Sequence, residues 1–364
     1  MARAARPGGT PRAAALIRIS TLRAFPGVPV APSTRAPFVT SPASISTILA
    51  PIAQDMQQVD ASIRRALTSE VALISAIASY IVGAGGKRLR PALLLLVARA
   101  HGHDGEHLHD LAAVVEMIHT ATLLHDDVVD ESELRRGRQT SNAAYGNAAS
   151  VLSGDFLYSR SFQMMVAAGN LRVLRILADA TNVIAEGEVL QLMNMHDPQI
   201  GVEQYMRVIH DKTAMLFEAA ARIGAVLAGC GDAAEQRAAG YGRAVGLAFQ
   251  LIDDALDYSG NSEQLGKNIG DDLREGKPTL PLIVAMQRGD AQQRELIEHA
   301  IRNGSADELP RILQVVQECG ALDEVYAVAQ TELAKARQLA QAMPAGSHRQ
   351  ALLALCDYSL QRQS

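Results

Sequence analysis

Two short segments, DDVVD at 126–130 and DDALD at 253–257, each carry aspartates four residues apart. On a helix Asp126 and Asp130 stack on one face, as do Asp253 and Asp257, while Asp127 and Asp254 turn aside by about 100° and stay near the rim. Like charges at this spacing destabilise an isolated helix, and near a helix C-terminus they also oppose the macrodipole, so a positive partner is expected. Clusters of carboxylate oxygens suit hard divalent cations, above all Mg²⁺, which is commonly held by one or two carboxylates together with phosphates and water. One isolated DDxxD reads as readily as a solvated acidic face. Two copies, each preceded by an apolar run (residues 121–124 and 248–252), place carboxylates at the mouth of a buried cavity instead.

Further groups suited to anions lie nearby in the chain. GAGGKRLRP at 83–91 is a glycine-rich turn opening a helix, where free backbone N–H groups together with Lys87 and Arg90 form an anion site. It is not a nucleotide P-loop, because Arg88 stands where Ser or Thr would follow the lysine. Arg135 and Arg136 come just after the first aspartate segment, where guanidinium forks can grip phosphate oxygens beside a metal. His119 precedes Asp126 by seven residues and is expected to point into the same space, although a lone histidine on an apolar helix is more often a satisfied core residue. Lys212 with Thr213, and Gln250, are polar groups within apolar stretches. Lys267 and Lys277 fall in QLGKNIGDDLREGKPT, a segment able to act as a flap, in which Asp271 and Asp272 read as solubilising charges.

The elements that must position these groups are helical. The text from about residue 45 is rich in Ala, Leu, Met, Gln and Glu, with 4% aromatics and no Trp, and lacks the alternating β-branched runs of strands. Apolar residues recur at helical spacing over 112–130, 150–168, 171–195, 201–228, 233–258 and 280–288, with Gly or Pro between. Several of these segments are apolar nearly all round, which implies central helices of a large bundle. Residues 1–44 read as a disordered or targeting leader ahead of one all-α domain over 45–364. The first 54 residues hold six Arg and no Lys, Asp or Glu, as an organellar transit peptide does, but Pro7, Pro11, Pro26, Pro29, Pro32 and Pro37 interrupt any long amphipathic helix. A cytoplasmic location is therefore the expectation, with a mitochondrial one as the alternative.

Beyond the leader 28 basic residues face 39 acidic ones, which argues against a general nucleic-acid binder. Cys230, Cys319 and Cys356 show no zinc or disulfide pattern, and no apolar run approaches the roughly 20 residues of a membrane span. Membrane contact is expected to be peripheral at most.

Taken together, GGKRLRP, LLHDDVVDESELRRGRQT, GEVLQLM, the KT at 212–213, FQLIDDALDYSG and GKNIGDDLREGKPTLP resemble the trans-type polyprenyl diphosphate synthases, in particular the bacterial octaprenyl group. The resemblance runs from about residue 45 to the end and implies an all-α bundle around a deep central cavity, working as a homodimer. It implies that Asp126, Asp127, Asp130, Asp253, Asp254 and Asp257 hold Mg²⁺ on an allylic diphosphate of farnesyl or geranylgeranyl type. Arg135, Lys212, Thr213, Gln250, Lys267 and Lys277 would contact that diphosphate. Lys87, Arg90, His119 and Arg136 would hold isopentenyl diphosphate. Ala255 departs from the bulkier residue frequent in the second motif and leaves every ligand in place. The implied reaction ionises the allylic bond and adds isopentenyl diphosphate, with the side chain of ubiquinone as the destination of the product. Small Ala121 and Thr122, one turn before the first motif, imply a long product, with the floor expected at Phe162 or Met165. A class I terpene cyclase is the competing enzyme class, disfavoured by the second DDxxD and by GGKRLRP. An inactive regulatory subunit is the non-enzymatic one, disfavoured by the intact aspartates.

Overall fold

The computed structural model describes residues 44–83, 85–135, 137–259 and 269–361. The leader up to residue 43, Arg136 and Lys267 lie outside the described residues. The helical periodicity of the sequence is realised as a bundle. Its elements are α1 Ile45–Ile48, α2 Ala53–Ala66, α3 Ala72–Gly83, α4 Leu89–Ala100, α5 Leu108–Val129, α6 Ser141–Tyr145, α7 Asn147–Ala167, α8 Leu171–Asn194, α9 Val202–Ile209, α10 Met215–Leu227 and α11 Asp232–Leu256. After the second motif come α12 Asp271–Arg274, α13 Leu280–Arg288, α14 Ala291–Asn303, α15 Leu309–Glu318, α16 Ala321–Gln341 and α17 Ser347–Gln361. Among the described residues the only strands are β1 Leu134–Arg135 and β2 Arg138–Gln139, an antiparallel hairpin just beyond the first motif.

Helices α4 and α10 form the centre. Residues 91–98 of α4 are all buried, as are Leu216, Phe217, Ala219, Ala220, Ala221 and Ile223 of α10, and burying one such leucine contributes about 1.5–3 kcal/mol. Helix α10 packs against α4 on one side and α11 on the other, and glycine lets them approach. A Cβ on Gly224 would stand 2.5 Å from the Leu94 carbonyl oxygen, and one on Gly242 would stand 2.3 Å from that of Phe217. Helix α11 in turn packs along α16, and α5 along α7.

The helix ends are set locally. Asn170 accepts hydrogen bonds from the backbone N–H groups of Arg172 and Val173 to start α8, and Asp290 with Gln293 forms a capping box for α14. One expectation changes here. The segment 201–228 is not one regular helix, because a wide π-type turn at His210–Ala214 separates α9 from α10. Among the described residues no helix is long and apolar enough to cross a membrane.

Candidate active site

The two aspartate clusters lie at the C-terminal ends of α5 and α11, and two lysines that pair with the first line a cavity together with Asp254 of the second. The Lys212 Nζ stands 3.9 Å from Asp126 Oδ2 and 2.6 Å from Glu188 Oε2, while Lys277 Nζ donates to Asp130 Oδ2 at 3.0 Å and also pairs with Glu275. Both lysines, with Thr213, Gln250, Asp254 and Asp272, line a small cavity of about 70 Å³. Lys212 and Lys277 therefore supply the positive partners that the first cluster requires, and they face the second. Asp272 is part of this lining rather than a solubilising surface charge, because the chain after Asp257 turns it inward. Asp271 does pair locally, with Arg274 at 2.8 Å.

The π turn explains how Lys212 reaches so far. A Cβ on Gly187 of α8 would lie 2.7 Å from the Lys212 backbone nitrogen and 2.9 Å from the Asp211 carbonyl carbon. Only glycine lets the wide turn press against α8, and such turns often mark functional positions. The neighbouring Glu188 then meets Lys212 directly. Burial pushes the Glu188 carboxyl up to about 7 against the opposing pull of Lys212.

The carboxylates are partnered in different ways. Arg135 reaches back from β1 and grips Asp127 through Nε and one terminal nitrogen, both at 2.7 Å. Burial raises the Asp126 carboxyl above its usual range, and Lys212 opposes that rise. Asp254, 4% exposed, accepts 2.6 Å hydrogen bonds from the Tyr205 hydroxyl and from Gln250 Nε2, and Thr213 Oγ1 donates to Gln250 Oε1 at 2.9 Å. Burial, reinforced by Asp272, lifts Asp254 to about 8. Asp257 accepts from the backbone N–H groups of Gly270 and Asp272 at 3.1 and 3.2 Å, which holds the turn at 270–272 beside the second cluster. Burial would lower the Lys277 ammonium, but Asp130 and Glu275 hold it above the usual lysine value.

Beneath the first cluster, α5, α7 and α8 enclose a cavity of about 410 Å³, lined mainly by apolar groups. Ala121 and Thr122 line it from α5, below Asp126 and Asp130, and Tyr158, Thr181 and Ile184 line it from the other two helices. Phe162 and Met165 do not line it. Phe162 stacks behind Tyr158 with ring centroids 5.1 Å apart, and Met165 is buried in the core, because α7 presents only Asp155 and Tyr158 to this space. His119 does not line it either.

GGKRLRP forms a distinct corner. Arg88 sits at the start of α4 with φ 49° and pairs with Asp60 and Glu116. Lys87 lies over the Tyr358 ring at 5.3 Å, and the Arg90 guanidinium lies over Phe217 at 4.3 Å. Phe217 packs on Phe249, the neighbour of Gln250, so this corner connects to the second cluster through stacked aromatics.

Sequence reasoning did not find Glu188 or Tyr205. Glu188 falls within GEVLQLM, a motif that carried no assigned role, and Tyr205 resembles any apolar helix residue until the fold brings it to Asp254.

Two acidic motifs in an all-α bundle, the first at an apolar cavity and the second beside the lysines that pair with the first, define an isoprenoid-synthase-type enzyme. Residues 71–318 match the polyprenyl synthetase family. The chain is 53% identical over 311 residues to octaprenyl diphosphate synthase of Escherichia coli, covering 85% of this chain and 96% of that protein. It is 47% identical to the geranyl-diphosphate-specific all-trans-nonaprenyl-diphosphate synthase of Rhodobacter capsulatus, covering 86% and 97%. Its fold matches a Caulobacter crescentus polyprenyl synthase, solved with calcium and isoprenyl diphosphate, at a TM-score of 0.85 and 45% identity, covering 89% and 100%. The chain belongs to the polyprenyl synthetase family, and it is a prenyltransferase that condenses isopentenyl diphosphate with an allylic diphosphate.

Proposed function

We propose that the product is a long all-trans chain of octaprenyl type, made by repeated Mg²⁺-dependent condensation and supplied to a ubiquinone side chain. The observation that supports this reading is the open 410 Å³ cavity below Asp126 and Asp130, with small Ala121 and Thr122 on its wall. Asp126, Asp127, Asp130, Asp253, Asp254 and Asp257 would hold the metal. They fit a hard divalent cation because they offer oxygen donors alone, from two sides of one polar gap. When bound, such a cation supplies neutralisation of the departing diphosphate.

Lys212, Arg135, Thr213, Gln250 and Lys277 would orient the allylic diphosphate, together with Lys267. Lys87, Arg90, His119 and Arg136 would hold isopentenyl diphosphate. The aliphatic cavity wall excludes water from the allylic cation, and the departed diphosphate accepts the proton released. A homodimer is part of the proposal, supported by exposed apolar side chains on α7 and α8, among them Leu152, Val166, Leu171 and Met193. The location is cytoplasmic, or mitochondrial should the leader act as a transit peptide. Incubation with labelled isopentenyl diphosphate and farnesyl diphosphate, followed by mass spectrometry of the dephosphorylated product, is expected to show an eight-unit chain; a short product or a cyclic hydrocarbon would overturn the reading.

A further inference from the structure

We infer that His196 is a positioning residue for Lys277: it pins the segment carrying Lys277 against the end of α8 and so sets where that ammonium stands relative to Asp130. The inference rests on the reading of Lys277 as a contact of the allylic diphosphate.

His196 comes two residues after α8 and has φ 63°, one of four described non-glycine residues with positive φ. That conformation is costly for a residue with a bulky side chain and persists where its surroundings over-determine it. The surroundings here are two other chain segments. The His196 backbone N–H donates to the Gly276 carbonyl at 2.8 Å, one residue before Lys277. Its Nδ1 lies 3.1 Å from the Ile301 carbonyl in the last turn of α14, and since a carbonyl only accepts, Nδ1 is the donor. The ring fills the space that Gly276 and Gly304 leave open. A Cβ on Gly276 would stand 2.3 Å from Nδ1, and one on Gly304 would stand 3.0 Å from Cε1.

The segment in question is thereby held at both ends. Asp257 fixes its start through the N–H groups of Gly270 and Asp272, and the Lys277 N–H donates to the Asp272 carbonyl at 2.8 Å. His196 fixes its end, and from there the Lys277 side chain crosses to Asp130. Releasing the His196 pin leaves the ammonium to be ordered at the moment a diphosphate binds, and that ordering cost appears as weaker binding.

The test uses the full chain and measures, by calorimetry, the Kd of an allylic diphosphate analogue whose bridging oxygen is replaced by sulfur, alongside KM and kcat. His196→Ala is expected to weaken binding and raise KM about fivefold while kcat at saturation changes less than about twofold. His196→Asn, which tolerates positive φ and offers an amide donor to Ile301, is expected to return binding to within about twofold of the native value. Gly276→Ala should reproduce His196→Ala from the other side of the contact, and it carries the comparison should His196→Ala fail to fold. Lys277→Ala should weaken binding about tenfold, and adding His196→Ala to it should cost nothing more. Additive losses in the double variant, or a lowered thermal midpoint in His196→Ala with unchanged binding, would show that His196 acts only on the fold, and the inference would be overturned. Unchanged binding in Lys277→Ala would instead strike down the reading of Lys277 and the inference with it.

Discussion

The two copies of DDxxD share spacing and helix position, yet the fold treats them differently. The first copy is matched by charged side chains from elsewhere in the chain: Lys212 beside Asp126, Arg135 on Asp127, Lys277 on Asp130. In the second, Asp254 and Asp257 accept from donors that carry no charge, the Tyr205 hydroxyl, the Gln250 amide and two backbone N–H groups. The first borders the apolar cavity through Asp126 and Asp130, and among the described residues the second does not. A repeated motif thus yields one cluster paired with side-chain cations and one in which Asp254 and Asp257 are held by uncharged donors, while burial raises a carboxyl in each copy, Asp126 in the first and Asp254 in the second. The lesson is that motif identity fixes ligand chemistry, while the surrounding helices decide how each copy is held in waiting.

Neutralising one carboxylate of each copy should cost the most activity. Asp126→Asn and Asp254→Asn are each expected to lower kcat by about 10²–10³, the usual cost of removing one electrostatic stabiliser of developing charge. A loss below tenfold in steady-state kinetics for either would make that copy dispensable. Product length should separate the copies next. Ala121→Phe puts bulk into the cavity and should shorten the product by at least one isoprene unit. Ala248→Phe before the second copy should leave length unchanged and cost about 1–3 kcal/mol by overpacking. Mass spectrometry and thermal melts read the two effects.

Tyr205→Phe should lower stability by about 1–3 kcal/mol, because it removes a buried donor from Asp254. Denaturant titration at pH 8.5 checks this, and an unchanged midpoint would remove the neutral-donor half of the contrast. The smallest effect is on pH dependence. Burial holds Asp254 at about 8, above its ordinary 3.8, so the native state retains a proton that the unfolded chain has lost. The corresponding stability is fully present below about 3.8 and is lost as pH rises through about 8. Melts in chelator should therefore fall less steeply with pH between 5 and 8.5 in Asp254→Asn than in the native protein.

Much of this arrangement is legible in the sequence, for a physical reason. Helical periodicity placed α5, α7, α8, α11 and α13 within a few residues of their ends, because the apolar stripe and the Gly or Pro stops are local properties. The Asp126 and Asp130 pair was equally legible, since four-residue spacing fixes a common face, whereas in the second copy it is Asp254, between the pair, that lines the polar cavity. What failed were properties that depend on a partner far along the chain. The π turn at 210–214 interrupts a helix whose own residues show no break, and the close contact it makes, with Gly187 on α8, lies outside its own stretch. The cavity wall fell on Tyr158 rather than Phe162 or Met165, since the rotation of α7 about its axis is set by α5 through contacts such as His125 over Gly154. Tyr205 and Asp254 are 49 residues apart, and no local pattern pairs them.

The π turn carries one more consequence. A wide turn adds a residue to the helical count, so everything downstream is rotated by about 100° relative to an uninterrupted helix. Shortening this stretch by a single residue would let α9 and α10 run on as one smooth rod, improving its internal bonding while twisting Phe217 and Glu218 off their seats. The length of the chain between Val202 and Leu227 is therefore a constraint in its own right, separate from the identity of its side chains.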